Sequence, residues 1–238
     1  MLMTSSLLRS HVEAKKVVLG VNHAMTDYAT GRKKKLDLVV ARPAGPPSSK
    51  EKTFASLAHQ FGIELTDEEN AALAALPALY IAPVSSVLIA VEAKACMTEH
   101  TKALPRLYDE LNSSHLCIHG ASKQALAIGY VHVNMASDFI SPGRNHHSLT
   151  AGTVEVTTHD QPRVTQRVLA KVAEIPRRSA SSEVGFDGVG VTVVRLHNNG
   201  TTVDVVDDPP APQPGDTFHY ADMITRMATG YDATFAKI

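Results

Sequence analysis

Val87-Leu88-Ile89-Ala90-Val91-Glu92-Ala93-Lys94-Ala95 is the stretch on which the fold turns. Its apolar run has no polar alternation before it meets charge, the pattern of a central strand covered on both faces. Glu92 and Lys94 stand two apart, so on a strand both side chains leave the same face. The run that buries the strand therefore carries a carboxylate and an ammonium inward with it. Burying such groups is costly unless they pair with each other or bind a metal.

Outward toward the N-terminus, Gly31-Arg-Lys-Lys-Lys-Leu-Asp-Leu-Val-Val-Ala-Arg-Pro43 predicts a turn at Gly31, a strand over Leu36 to Ala41 and a stop at Pro43. Asp37 lies on that strand, which can pair with the one carrying Glu92. Residues 43–52 read as a loop, and helical signals follow over Phe54 to Phe61 and Thr66 to Leu76. Thr66 offers a cap followed by acids in the first turn. Leu79 to Pro83 is a further apolar segment. Residues 4–16 predict a first helix, and Val17 to Val21 either continues it or begins a strand.

Toward the C-terminus, Thr98 is placed to cap a helix. Pro105 is expected in the first turn of its main part, with Leu104, Leu107, Tyr108 and Leu111 as one apolar face. A strand over Leu126 to Val133, a loop at 141–148 and a helix over about Gln161 to Glu174 come next. Two β-branched runs then flank Asn199-Gly200 and predict a tight β-hairpin. A proline-rich linker at 208–216 leads to a last helix over about His219 to Phe235.

Asp37 and Glu92 together supply hard oxygen ligands suited to Mg²⁺, which takes a few carboxylates, substrate phosphate oxygens and water. A metal so held activates water and offsets charge on a scissile phosphate. Lys94 beside it can orient the water or stabilise the transition state.

Asp37 in Lys-Lys-Leu-Asp-Leu-Val-Val-Ala-Arg-Pro and Glu92-Ala93-Lys94 in their strand, with the helix and strand that follow, resemble the PD-(D/E)XK nuclease superfamily, which includes many type II restriction endonucleases. The resemblance runs from about Leu7 to Asn134. Leu36 replaces the proline that often precedes the metal-binding Asp, and segment 54–76 stands as an insertion between the two strands. The resemblance implies an α/β fold with a restriction-endonuclease-like core, a mixed central sheet flanked by helices, over residues 1–150. Residues 151–238, with the β-hairpin and helix, are then a recognition or dimerisation region, or part of the same domain. It further implies Mg²⁺ on Asp37 and Glu92, catalysis assisted by Lys94, an additional acid from the first helix (Glu13), double-stranded DNA as partner and a homodimer.

Composition bounds the rest. The formal net charge is −1 and the aromatic share 5% with no Trp, which speaks against a protein that coats nucleic acid or stacks many bases. Basic residues nevertheless gather at the start: Arg9, Lys15, Lys16, Arg32, Lys33, Lys34, Lys35, Arg42, Lys50 and Lys52 stand against Glu13, Asp27, Asp37 and Glu51. Lys33, Lys34 and Lys35 are candidates for a phosphate clamp or a solvated turn. His100 and Lys102, just past the catalytic strand, can reach a neighbouring phosphate, and Arg177, Arg178 and Arg195 are candidates for base contacts. Arg106, Asp109 and Glu110 read as a solvated helix face. His146-His147 read as a loop pair. His115, Cys117 and His119 alternate as zinc ligands would on a strand, with no fourth ligand in view. Two cysteines make no disulfide framework, and no apolar run is long enough to span a membrane, so a cytoplasmic protein is expected. Three functions stay open: a site-specific Mg²⁺-dependent endonuclease, a repair or recombination nuclease acting on ends or branches, and a non-catalytic DNA-binding protein.

Overall fold

Ser5 begins the first helix, α1 (Ser6–Glu13), its hydroxyl accepting the Leu8 N–H at 2.9 Å. The helix stops at Glu13, and Lys15 takes a left-handed conformation (φ 55°) that redirects the chain. The apolar run after it therefore opens strand β1 (Val18–Thr26) and does not extend the helix. Gly31, at φ 70°, turns the chain into β2 (Lys33–Pro43), which pairs antiparallel with β1. The computed structural model describes all residues except 29, 48, 50 and 147–152, so Lys50 and His147 lie outside the described residues.

Two short helices, α2 (Ser56–Gln60) and α3 (Asp67–Ala74), fill the connection after β2, and Thr66 with Glu69 forms a capping box on α3. Leu79 to Pro83 forms no strand of its own: Tyr80 and Ile81 make single bridges to Thr53 and Leu19. β3 (Val84–Cys96) then pairs antiparallel with β2, and the long helix α4 (His100–Ala121) carries the chain over to β4 (Leu126–Asn134), parallel to β3. A small ladder joins β5 (Asp138–Phe139) to β6 (Thr157–Thr158). α5 (Arg163–Ala173) crosses to β7 (Gly188–Arg195), parallel to β4, and β8 (Asp204–Val205) pairs antiparallel at the edge before α6 (Tyr220–Thr234). The result is α/β: one mixed six-stranded sheet in the order β1-β2-β3-β4-β7-β8, flanked by helices.

Alternation along β3 divides the core. Ala90 faces the side covered by α4 and α5, with Leu111, Ile118, Val131, Val168 and Val191, while Ile89 faces α1 and α6, with Leu8, Ile128, Met223 and Tyr231. β3 is thus buried on both faces, as its unbroken apolar run predicts. Residues from 153 onward build onto the same sheet through β7 and β8, and Tyr231 of α6 is fully buried. Among the described residues no helix is long and apolar enough to cross a membrane.

Three expectations are corrected. Asn199-Gly200 makes no two-residue hairpin turn: the ladder ends at Arg195↔Asp204, leaving 196–203 as a loop, and β7 spends its other edge on β4. Pairing within the central sheet overrides the local turn signal. Thr98 does not cap α4. Glu99 precedes that helix in a left-handed conformation, Thr98 bonds the His159 ring instead, and Pro105 lies inside the helix. His115, Cys117 and His119 also lie on α4, where alternate residues do not share a face, so the strand geometry imagined for zinc is absent.

Two predictions concern stability. Arg178 is buried, and its guanidinium donates to Asp187 Oδ1 (2.9 Å), Lys123 O and Ala125 O. Arg178→Ala leaves the carboxylate and carbonyls without these donors, so a loss of about 3–5 kcal/mol is expected, roughly 10 °C in Tm. A thermal midpoint within about 2 °C of wild type would show that water replaces the guanidinium at little cost. His115 is fully buried against Phe186, and burial first, then His119 and Arg178, push its pKa down to about 4. A histidine depressed in the folded state stabilises above its unfolded value and loses that contribution as pH falls from about 6.5 to about 4, here about 3 kcal/mol. His115→Gln should flatten the stability profile over that window in denaturant titrations, and an unchanged slope would assign the acid sensitivity elsewhere.

Candidate active site

The site forms where two paired strands part. The β2–β3 ladder is regular from Val40↔Ile89 to Leu38↔Val91 and stops there, one position short of Asp37 and Glu92. The Ala93 N–H beyond that point is taken by Asp37 Oδ2 at 2.7 Å, so the half-buried Asp37 carboxylate replaces a backbone acceptor at the fork. Asp37 is thereby fixed beside the Glu92–Lys94 segment by its place next to the end of the ladder and by this hydrogen bond.

Glu92 lies on the α4 side of β3 and is only 1% exposed. Its Oε1 lies 2.6 Å from Lys94 Nζ and 3.7 Å from Lys34 Nζ. Its Oε2 is buried without a hydrogen-bond partner. Lys94 also meets Glu110 Oε2 of α4 at 3.3 Å, and Glu110 Oε1 accepts from Arg106 at 2.6 Å. Lys34 Nζ donates to Glu110 O (2.6 Å) and Ser113 Oγ (2.9 Å), tying β2 to the helix. Lys34–Glu92–Lys94–Glu110–Arg106 is therefore one alternating chain of charge between sheet and α4.

Burial works against the Lys94 ammonium, but the Glu92 hydrogen bond and the charges of Glu92, Glu110 and Asp37 outweigh it and raise its pKa. A raised lysine stabilises the fold below its unfolded pKa and loses that contribution only as pH climbs through the raised value, so Lys94 stays charged at neutral pH. The Arg106 hydrogen bond, with Lys94, holds the Glu110 carboxyl below the usual range despite partial burial.

Among the described residues no three or more His, Cys, Asp and Glu side chains converge to hold an ion. The donor set is that of a two-carboxylate site, Asp37 and Glu92, and suits Mg²⁺, which is often held by one or two carboxylates with water and substrate oxygens. The orphaned Glu92 Oε2 fits such a cation: a buried carboxylate oxygen without a donor is costly, and a bound cation satisfies it.

The other candidates are scattered. Glu13 is exposed on α1, across the sheet from Glu92, and is not brought to this cluster. His100 is buried, its Nε2 donating to Asn134 O at 2.7 Å, and burial lowers its pKa; it is a strut, not a phosphate contact. Arg178 is likewise occupied inside the fold, as described, and is no base-reading arginine. Lys102 is exposed and pairs with Glu99. Arg177 is exposed over the Phe218 ring, and Arg195 is exposed at the end of β7, on the edge toward which β3 carries Lys94. Lys33 and Lys35 are exposed, whereas Lys34 between them turns inward.

Lys34 and Glu110 are the site residues that sequence reasoning misplaced, one as part of a surface run and the other as a solvated helix face. The alternation of a strand sets Lys34 apart from its neighbours, and Glu110 directly precedes Leu111 on the buried face of α4; those were the available signals. Burial also pushes the Cys96 thiol up to about 11, which marks it as a packed apolar side chain and not a nucleophile. Compared with protein-family models, curated proteins and solved structures, the chain matches none.

Proposed function

We propose that this chain is a Mg²⁺-dependent endonuclease that hydrolyses phosphodiester bonds in double-stranded DNA, built on a restriction-endonuclease-like core. The observation that carries the proposal is the buried Glu92, with one oxygen on Lys94 and the other unpartnered, beside Asp37 where β2 and β3 part. The resemblance adds weight through order: the Asp strand pairs with the Glu-Ala-Lys strand, and a helix and a parallel strand follow.

Asp37 and Glu92 would hold the cation, which supplies Lewis acidity at the scissile phosphate and eases deprotonation of water. Lys94, held by Glu92 and Glu110, presents its ammonium where negative charge grows on the phosphate. Glu110 keeps that ammonium oriented while Glu92 serves the cation. The exposed Lys33, Lys35 and Lys102 suit phosphate contacts, and Arg195 is exposed at the C-terminal end of β7, the end of the sheet toward which β3 carries Lys94. A homodimer acting in the reducing cytoplasm matches a protein of modest charge reading palindromes, since two-fold symmetry in the protein mirrors that of the site.

Incubation with a mixed panel of plasmid and phage DNA in Mg²⁺ should give discrete bands on a gel. A smear or resection from ends would instead indicate a repair or recombination nuclease, and intact DNA with retained binding would indicate a non-catalytic DNA-binding protein. Lys94→Ala should lower the cleavage rate by about 100-fold or more while Mg²⁺-dependent DNA binding persists, because its ammonium acts on the transition state more than on bound substrate. Wild-type turnover in that variant would remove Lys94 from the mechanism.

A further inference from the structure

We infer that Lys34 is a positioning residue that commits Glu92 to offering a cation a single oxygen, and so biases the site toward Mg²⁺ over Ca²⁺. The inference rests on the metal-dependent reading of this site. Both ammonium groups near Glu92 fall on the same oxygen: Lys94 at 2.6 Å and Lys34 at 3.7 Å from Oε1, with Oε2 buried and unpartnered. A carboxylate so loaded is asymmetric, with one oxygen neutralised and the other left to a ligand.

Of the two lysines, Lys34 is the fixed one. An ammonium has three donors, and two of those of Lys34 are taken by Glu110 O and Ser113 Oγ on α4. Its place beside Oε1 is therefore set by the packing of β2 against the helix. Lys94 instead divides itself between two acids, Glu92 and Glu110, and can shift from one to the other. With Lys94 turned wholly to Glu110, Lys34 is the ammonium left beside Oε1.

The consequence is chemical selectivity. Ca²⁺ takes six to eight oxygens and readily uses a carboxylate through both of them, whereas Mg²⁺ is smaller, octahedral and keeps its waters. A glutamate with Oε1 blocked penalises the bidentate mode and leaves a single-oxygen contact available. Removing the Lys34 charge also makes the site more negative, which strengthens binding of any divalent ion. Mg²⁺ and Ca²⁺ carry the same charge, so that general effect largely cancels in the ratio of their affinities. The ratio is then a readout that a merely structural role for Lys34 does not move.

The test is calorimetric titration of Mg²⁺ and of Ca²⁺ into the full chain without DNA, with thermal melting in parallel, for wild type, Glu92→Gln, Lys34→Met and Ser113→Ala. Wild-type binding of both ions should depend on Glu92. Lys34→Met should raise the Ca²⁺-to-Mg²⁺ affinity ratio by about fivefold or more, since it leaves only Lys94 on Oε1, and Lys94 has Glu110 to turn to when a cation takes the second oxygen. Ser113→Ala, which removes one anchor of Lys34 without changing charge, should move the ratio the same way by a smaller factor, and it carries the test if Lys34→Met does not fold. Glu92-dependent binding with an unchanged ratio in the folded variants overturns this inference and leaves the nuclease proposal standing. Absence of any Glu92-dependent binding in wild type overturns both.

Discussion

The neutralisation of one buried carboxylate sets the terms for this half of the molecule. Glu92 sits on the strand with the most apolar run in the chain, between a sheet and its longest helix, at 1% exposure. An unpaired carboxylate in such a place costs several kcal/mol. Lys34 must therefore turn in from β2, Lys94 must lie along β3, and α4 must pass close enough for Glu110 and Ser113 to hold both lysines. Beside that cluster the β2–β3 ladder ends at Leu38↔Val91, and Asp37 takes the Ala93 backbone donor beyond it. The inward lysine and the close approach of α4 both serve that electrostatic requirement.

How much of this was legible follows from which signals are local. The Glu92-Ala93-Lys94 strand, the Asp37 strand, their capacity to pair and the helix and strand after them could be read from apolar runs and two-residue spacing, whereas the strand directions could not. These depend on periodicity, which the sequence displays directly. The partners of Glu92 could not be read in the same way. Lys34 looks like its neighbours Lys33 and Lys35, and only strand direction separates them; Glu110 lies at the border of the buried face of α4, where spacing does not decide. The Asn199-Gly200 signal misled for the opposite reason: its local preference was real, but β7 was needed in the middle of the sheet, beside β4. His100 and Arg178 looked like surface cations because nothing in the chain around them announces that carbonyls from distant segments await them.

Those carbonyls bind the two ends of the sheet together. At the ends of the parallel strands, the buried Asn134 donates to Met97 O and Leu196 O and accepts from Ala136 N and Leu196 N, while its own carbonyl takes His100 and Gln161. At the opposite ends, Arg178 and Asp187 close the start of β4 against the start of β7, with Asp187 Oδ2 accepting from Ala127 N. Both arrangements spend most of their polar groups on backbone partners, and well-satisfied buried polar networks rigidify a fold. α4 joins them, since it carries His100 at its first residue and His119, bonded to Gly185 O, near its last.

Glu92 is built on a different plan. Where Asn134 and Arg178 use their polar atoms on the protein itself, Glu92 keeps Oε2 in reserve inside the same well-packed structure. A sequence selected for stability alone would fill that place with a hydrophobic residue of similar volume, since buried ion pairs are often matched or bettered by apolar packing. Retaining instead a carboxylate, two lysines and a second acid, with one oxygen unspent, accepts a local cost that folding does not require. Such departures from local consistency belong at functional sites. The struts at both ends of α4 fasten the helix through His100 and His119, on partners other than Glu92, so its attachment there does not draw on the unpartnered oxygen.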